Sequence, residues 1–154
     1  METGDSGVGR TIAKVLVVDD DQDIRDTLRM ALEDEGYVVE EASDGVRALA
    51  LLRTSQEPMV VLLDLMMPNM GGAGVLDAVA KDQHLAKRFA YVLVTADSST
   101  QPMAFVRQMH ELGVPFISKP FDLDHLFRVI EESGRRLRST PGDTNHWPTS
   151  ASAS

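Results

Sequence analysis

Several polar residues of this chain stand directly after apolar runs. Asp19 and Asp20 follow "AKVLVV" (13–18), Asp64 follows "PMVVLL" (58–63), Thr95 follows "AYVLV" (90–94), and Lys119 follows "VPFIS" (114–118). Asp64 poses the sharpest problem, because burying an unpaired carboxylate is strongly unfavourable. It must either surface or meet a compensating group. A cluster of Asp19, Asp20 and Asp64 would be self-repelling, with raised carboxyl pKa values, unless a cation entered it. Mg²⁺ (or Mn²⁺) suits such a cluster: a hard divalent ion that takes one or two carboxylates, keeps several waters and accepts phosphate oxygens. With that cation present, a carboxylate can act as a nucleophile toward phosphorus. Thr95 and Lys119 are then suitable donors to the equatorial oxygens of a transferring phosphoryl group.

This chemistry requires elements that bring the five residues together. The apolar runs are short and rich in Val, as buried parallel strands are. "YVVEEA" (37–42) is a further, more polar run and is expected at a sheet edge. Helical spacing fills the intervals. Ile24, Leu28, Ala31 and Leu32 share one face, with Gly36 as the stop. In "SDGVRALALLR", Val46, Leu49 and Ala50 are expected inward, and in "GVLDAVAKD" Leu76, Val79 and Ala80. Pro102 suits a first turn, Met103, Val106 and His110 follow at helical spacing, and Gly113 ends that helix. The fifth helix shows Leu123, Leu126, Phe127 and Ile130, with Glu131–Arg135 and Glu132–Arg136 as i,i+4 pairs and a weak end at Ser133 and Gly134. Five strands alternating with five helices imply a parallel sheet covered on both faces. Right-handed crossovers put every strand's carboxyl end on one rim, where ligands of open α/β sheets bind. Asp64 is therefore expected to surface at that rim, in a site shared with Asp19, Asp20, Thr95 and Lys119.

The bulk composition narrows the function classes. The chain has 154 residues, 43% hydrophobic and 25% charged, which fits one domain with a real core. Its net charge of -9 argues against nucleic-acid or anionic-membrane partners, which require a basic face. The absence of cysteine excludes a disulfide frame and thiolate metal sites. Residues 1–10 and 139–154 read as flexible tails around a domain over 11–138, with Trp147 standing out in the second tail. No signal peptide or membrane span is apparent, so a cytoplasmic location is expected.

Four segments together carry a family resemblance: "VLVVDDD" (15–21), "VVLLDLMMPNMGG" (60–72), "YVLVTA" (91–96) and "FISKPF" (116–121). In this order, each at a strand end, they resemble the response-regulator receiver domain of two-component signalling. The resemblance implies an α/β, flavodoxin-like (βα)5 fold with strand order 2-1-3-4-5. It implies Asp64 as phosphoacceptor, Asp20 as a direct Mg²⁺ ligand, Asp19 as a ligand through water, and the Met66 backbone carbonyl in the same metal shell. Thr95 would bond a phosphoryl oxygen, Lys119 would pair with it, and Lys119–Pro120 would be cis. Phe116 takes the place of the family's switch aromatic, coupled to Thr95. Met66 and Asp97 occupy positions that flank the path of attacking water. A histidine kinase or phosphotransfer protein would donate the phosphoryl group. A face of the fourth helix, fifth strand and fifth helix, including Phe105, Met109 and Phe116, would meet an unknown downstream protein. The chain would be a monomer or a phosphorylation-dependent dimer, a signalling domain rather than an enzyme, and of the stand-alone type.

Two features depart from the family pattern. "GGAG" (71–74) is expected to loosen the start of its helix, and Phe116 lacks a tyrosine hydroxyl. Plainer readings exist for single residues. Asp20 or Asp21 can cap a helix, Thr95 can be a strand residue, Lys119 a surface lysine and Phe116 core. His84, His110, His125 and His146 are scattered and read as no ligand set. Two rival functions follow. One is a degenerate receiver that binds partners without phosphorylation, against which the complete set of five residues argues. The other is an Asp-nucleophile phosphohydrolase. That class carries an acid–base carboxylate two residues past the nucleophile, where this chain has Met66.

Overall fold

A computed structural model describes residues 13–96 and 101–139. The elements run β1 Lys14–Val18, α1 Gln22–Asp34, β2 Val38–Ala42, α2 Gly45–Thr54, β3 Met59–Asp64, α3 Gly72–Ala80, α4 Gln83–Arg88, β4 Phe89–Thr95, α5 Met103–Leu112, β5 Phe116–Ser118 and α6 Leu123–Ser139. The strands form one parallel sheet in the order β2-β1-β3-β4-β5, the flavodoxin-like arrangement expected. β2 lies at an edge, as its polarity required, and all six residues of central β3 are buried.

Strand residues alternate between two cores because successive side chains point to opposite faces. Leu16, Val18, Val61, Leu63 and Leu93 pack with buried residues of α2 to α5. Val15, Val17, Val60, Leu62, Val92 and Val94 pack under α1 and α6, where Leu28, Leu32, Leu126 and Ile130 are buried. Helix stops fall at Gly36 and Gly113, both with positive φ. No helix of the described residues is long and apolar enough to cross a membrane.

The structure corrects the helix reading in several places. There are six helices among the described residues, not five. The added one, α4, begins at Asp82, whose carboxylate accepts the His84 and Leu85 N–H groups. It is anchored by burial of Leu85 and Ala86 and by the Tyr91 hydroxyl, which donates to the Leu85 carbonyl at 2.8 Å. In α2 the inward residues are Gly45, Ala48, Leu49 and Leu52, while Val46 is 53% exposed and Ala50 is exposed. In α5 the apolar stripe is rotated from the expected one. Met109 is buried with Phe105 and Leu112 against the core, whereas Met103 and His110 face outward. Ser133 and Gly134 do not end α6: they continue its buried stripe after Leu126 and Ile130, and the helix runs on to Ser139. The Glu131–Arg135 pair forms at 3.7 Å. The first tail, Trp147 and Asp97 lie outside the described residues, as does nearly all of the second tail.

Candidate functional site

Backbone register sets the site before any side chain does. Val18 pairs with Leu63, Asp64 with Val94, and Thr95 with Ser118, so the ends of β1, β3, β4 and β5 fall together on the rim. Hydrogen bonds extend this alignment past the strands. The Leu65 N–H donates to the Val94 carbonyl at 3.0 Å, and the Lys119 N–H to the Thr95 carbonyl at 2.8 Å. The Lys119–Pro120 peptide is cis.

Asp19, Asp20 and Asp64 converge there, with one carboxylate oxygen of each within 4.8 Å of the others. Asp64 does not surface as expected. It lies on the rim but is only 5% exposed, like Asp19 at 4%, and only Asp20 is open to solvent. One Asp64 oxygen accepts the Met66 N–H at 3.1 Å, and the other lies 3.6 Å from Lys119 Nζ. Lys119 is closer to Asp19, donating to its Oδ2 at 3.0 Å, while Asp19 Oδ1 accepts the Asp21 N–H at 2.9 Å. Asp21, not Asp20, caps α1, accepting the N–H groups of Asp23 and Ile24.

Burial is the main force on Asp64. It raises the carboxyl pKa from 3.8 to about 6, partly opposed by the Met66 N–H and Lys119 and reinforced by the charges of Asp19 and Asp20. Mutual repulsion, the cause expected from sequence, is therefore secondary to desolvation. For Lys119, burial works to lower the pKa but is outweighed by the Asp19 hydrogen bond and the charges of Asp64 and Asp19, so the ammonium is held above its usual range.

Thr95 is 1% exposed at the end of β4. Phe116 is half-buried, with its ring edge-on to Phe105 at a centroid distance of 6.1 Å. Met66, whose N–H bonds Asp64, is 67% exposed. Met109, placed by sequence on the partner face, is instead 3% exposed and belongs to the core.

The "GGAG" segment is tight rather than loose. A Cβ on Gly71 would stand 2.5 Å from the Leu65 carbonyl, and one on Gly72 would stand 3.0 Å from the Asp64 carbonyl. These glycines let the start of α3 abut the backbone that carries Asp64. The same loop is tied across to α2: Asn69 donates to Asp44 at 3.2 Å, and the Gly45 N–H to the Met70 carbonyl at 3.0 Å.

Arg25 escaped the sequence reading. It is 9% exposed, on the face that also carries Leu28 and Leu32, and that spacing was the available signal. Its guanidinium donates to the Asp19 carbonyl at 2.6 Å, to Gln22 Oε1 at 2.6 Å and to Glu41 at 3.0 Å. Glu41 also takes Arg29. The Arg29 hydrogen bond is the main force holding its carboxyl below the usual range, against burial and with help from Arg25.

Three carboxylates, a lysine and a buried threonine around one rim can receive a hard cation and a phosphoryl group. Comparison with known proteins gives the family of the chain. Residues 15–131 match the model of the response regulator receiver domain. The response regulator MprA of Mycobacterium sp. (strain KMS) is 35% identical over 133 residues, covering 84% of this chain and 54% of MprA. The CAI-1 autoinducer sensor kinase/phosphatase CqsS of Vibrio cholerae is 35% identical over 119 residues, covering 76% of this chain and 17% of CqsS. The chain thus spans about half or less of these relatives. Among solved structures, a CheY-like response regulator receiver domain protein from Methanospirillum hungatei JF-1 aligns with a TM-score of 0.70 at 31% identity, covering 82% of this chain and 97% of that one. The chemotaxis protein CheY4 of Vibrio cholerae aligns with a TM-score of 0.66 at 28% identity, covering 79% and 98%.

Proposed function

The chain belongs to the receiver-domain family of two-component response regulators, and we propose that within it Asp64 is the phosphoacceptor, loaded by a histidine kinase or a phosphotransfer protein. The single observation that carries this reading is the buried Asp64 carboxylate, held at the rim between Asp19, Asp20 and Lys119. The ionised Asp64 oxygen attacks the phosphorus of a donor phosphohistidine. A P–O bond forms as the P–N bond breaks, and the departing imidazole takes a proton. With a pKa near 6, Asp64 is mostly ionised at neutral pH. Lys119, already within 3.6 Å, turns toward the incoming phosphoryl oxygens, and the Thr95 hydroxyl supplies a hydrogen bond to them.

The donor set fits Mg²⁺ (or Mn²⁺): oxygen ligands only, converging within 4.8 Å. Asp20 and Asp64 would hold it directly, Asp19 through water, with the Met66 carbonyl completing the protein's share. Asp20 is the most available of the acidic pair, because Asp19 already serves Asp21 and Lys119. When bound, the ion neutralises charge on the carboxylates and the phosphoryl oxygens. Met66 limits water access to the aspartyl phosphate. Thr95 and Phe116 form the switch, reporting on the face of α5, β5 and α6. Its accessible residues include Phe105 and Phe116 but not the buried Met109. Downstream contact through this face, as a monomer or a phosphorylation-dependent dimer in the cytoplasm, completes the reading, with the receiver over 11–138.

Mass spectrometry after incubation with Mg²⁺ and a small acyl phosphate tests it. The expected result is one added phosphoryl group in the wild type and none in Asp64→Asn. Equal uptake by both proteins would remove Asp64 from the role.

A further inference from the structure

We propose that Arg25 is a positioning residue for the acidic pair: it fixes the Asp19 main chain and so sets the affinity of the site for divalent cations. This inference rests on the metal-binding reading of Asp19, Asp20 and Asp64. A residue only 9% exposed needs acceptors for its guanidinium, and Arg25 has three, on three different segments. Glu41 at the end of β2 and Gln22 in the first turn of α1 hold the fork in place. The remaining arm reaches the Asp19 carbonyl at 2.6 Å. The peptide group so held is the one that joins Asp19 to Asp20. β1 ends at Val18 and α1 begins at Gln22, so the acidic residues sit on a short connection outside regular structure. The Asp19 N–H, bonded to the Ala42 carbonyl at 3.2 Å, anchors one side of Asp19, and Arg25 anchors the other. A planar fork is needed, because Lys offers one point charge and cannot serve three acceptors in this geometry.

The sign of the effect separates this role from simple electrostatics. As a nearby positive charge, Arg25 would oppose cation binding. Its removal would tighten the site, and a lysine would leave it unchanged. As a positioning residue, its loss loosens the ligands, and a lysine does not rescue. Outer residues that orient metal ligands typically govern affinity by about 10–100-fold.

The experiment is calorimetric titration of the metal-free full chain with MgCl2, for wild type, Arg25→Met, Arg25→Lys and Asp20→Ala, each first shown to be folded by circular dichroism. We expect Mg²⁺ binding weakened about tenfold or more in both Arg25 variants. Without metal, the Asp19 carbonyl ¹³C resonance should move upfield in Arg25→Lys as its hydrogen bond is lost. Unchanged or tighter binding in either Arg25 variant overturns the proposal while leaving the metal site standing. An unshifted Asp19 carbonyl overturns it as well, and does so even if Arg25→Met fails to fold. Wild type that takes up no Mg²⁺, or Asp20→Ala that binds as wild type does, overturns the metal-site reading and the proposal with it.

Discussion

Replacing Asp64 by Asn should stabilise the metal-free protein, and the gain should depend on pH in a defined window. The carboxyl pKa is raised from 3.8 to about 6 in the folded chain, with burial as the leading cause. The native state therefore holds this proton to a higher pH than the unfolded state does. Between those two values stability falls as pH rises, and above the folded value the full penalty is present. A rise from 3.8 to about 6 corresponds to about 3 kcal/mol. Water at the rim screens part of it, which leaves an expected gain of about 1–2 kcal/mol for the Asp64→Asn variant. The amide keeps an oxygen for the Met66 N–H, and Lys119 keeps Asp19 at 3.0 Å, so few compensating contacts are lost. For a domain of this size the gain should raise Tm by about 3–8 °C. The assay is thermal and urea unfolding in EDTA across the pH range below neutrality. The difference between the Asp64→Asn variant and wild type should vanish at acid pH, below the unfolded carboxyl value, and be complete near neutrality. A variant no more stable than wild type at neutral pH, or a gain independent of pH, would refute burial of charge as the state of Asp64.

Mg²⁺ should raise the wild-type Tm by mass action, and Asp20→Ala should lose most of that response in the same thermal scans. Asp19→Ala should lose less of the Mg²⁺ response but cost about 1–3 kcal/mol without metal, because it leaves the Asp21 N–H without its acceptor and Lys119 with only the longer contact to Asp64. Met66→Asn should change the rate of aspartyl-phosphate loss, followed by intact-mass kinetics, with Tm nearly unchanged since the side chain is 67% exposed. Gly71→Ala should lower stability by about 1–3 kcal/mol in urea unfolding, because its Cβ meets the Leu65 carbonyl at 2.5 Å. A beryllofluoride complex should shift the amides of Phe116 and Phe105 in wild type, and Thr95→Ala should confine the shifts to the surroundings of Asp64.

The rim was legible because its strands are almost wholly apolar, so the first polar residue after each run marks the strand's carboxyl end. That logic located Asp19, Asp20, Asp64, Thr95 and Lys119 without any contact information. It failed on exposure: sequence alone cannot distinguish an open carboxylate at the rim from a buried one, and Asp19 and Asp64 are buried there. Arg25 was missed because an arginine on a helix reads as solvated unless its acceptors are known, and those acceptors come from a strand end and a backbone carbonyl. The glycines at 71–74 were misread for a related reason. The value of Gly71 and Gly72 lies in the closeness of the Leu65 and Asp64 carbonyls, which is a tertiary fact. In α5, Met103 and Val106 mimic an inward stripe, yet packing selects Phe105, Met109 and Leu112. Several apolar residues in one helix leave the rotation undetermined until the sheet beneath it is in place.

The charges around Asp64 explain why a divalent ion fits better than a second lysine would. Arg25 is buried nearby, but Glu41 takes its charge, so it contributes little to the balance at the rim. Among the described residues the cluster then consists of Asp19, Asp20, Asp64 and the ammonium of Lys119. With all three carboxylates ionised, that single ammonium leaves two negative charges uncompensated. Lys119 is also placed asymmetrically, 3.0 Å from Asp19 but 3.6 Å from Asp64. Asp64 is thus the buried carboxylate with the weaker partner, and burial raises its pKa accordingly. A monovalent counter-ion would leave the site short by one charge, and a divalent one closes the deficit. On the proposed reading, an incoming phosphoryl group would restore negative charge next to Lys119 and give that ammonium a reason to leave Asp19. The same imbalance that weakens Asp64 as an acid at rest therefore favours both the cation and the group it is proposed to carry.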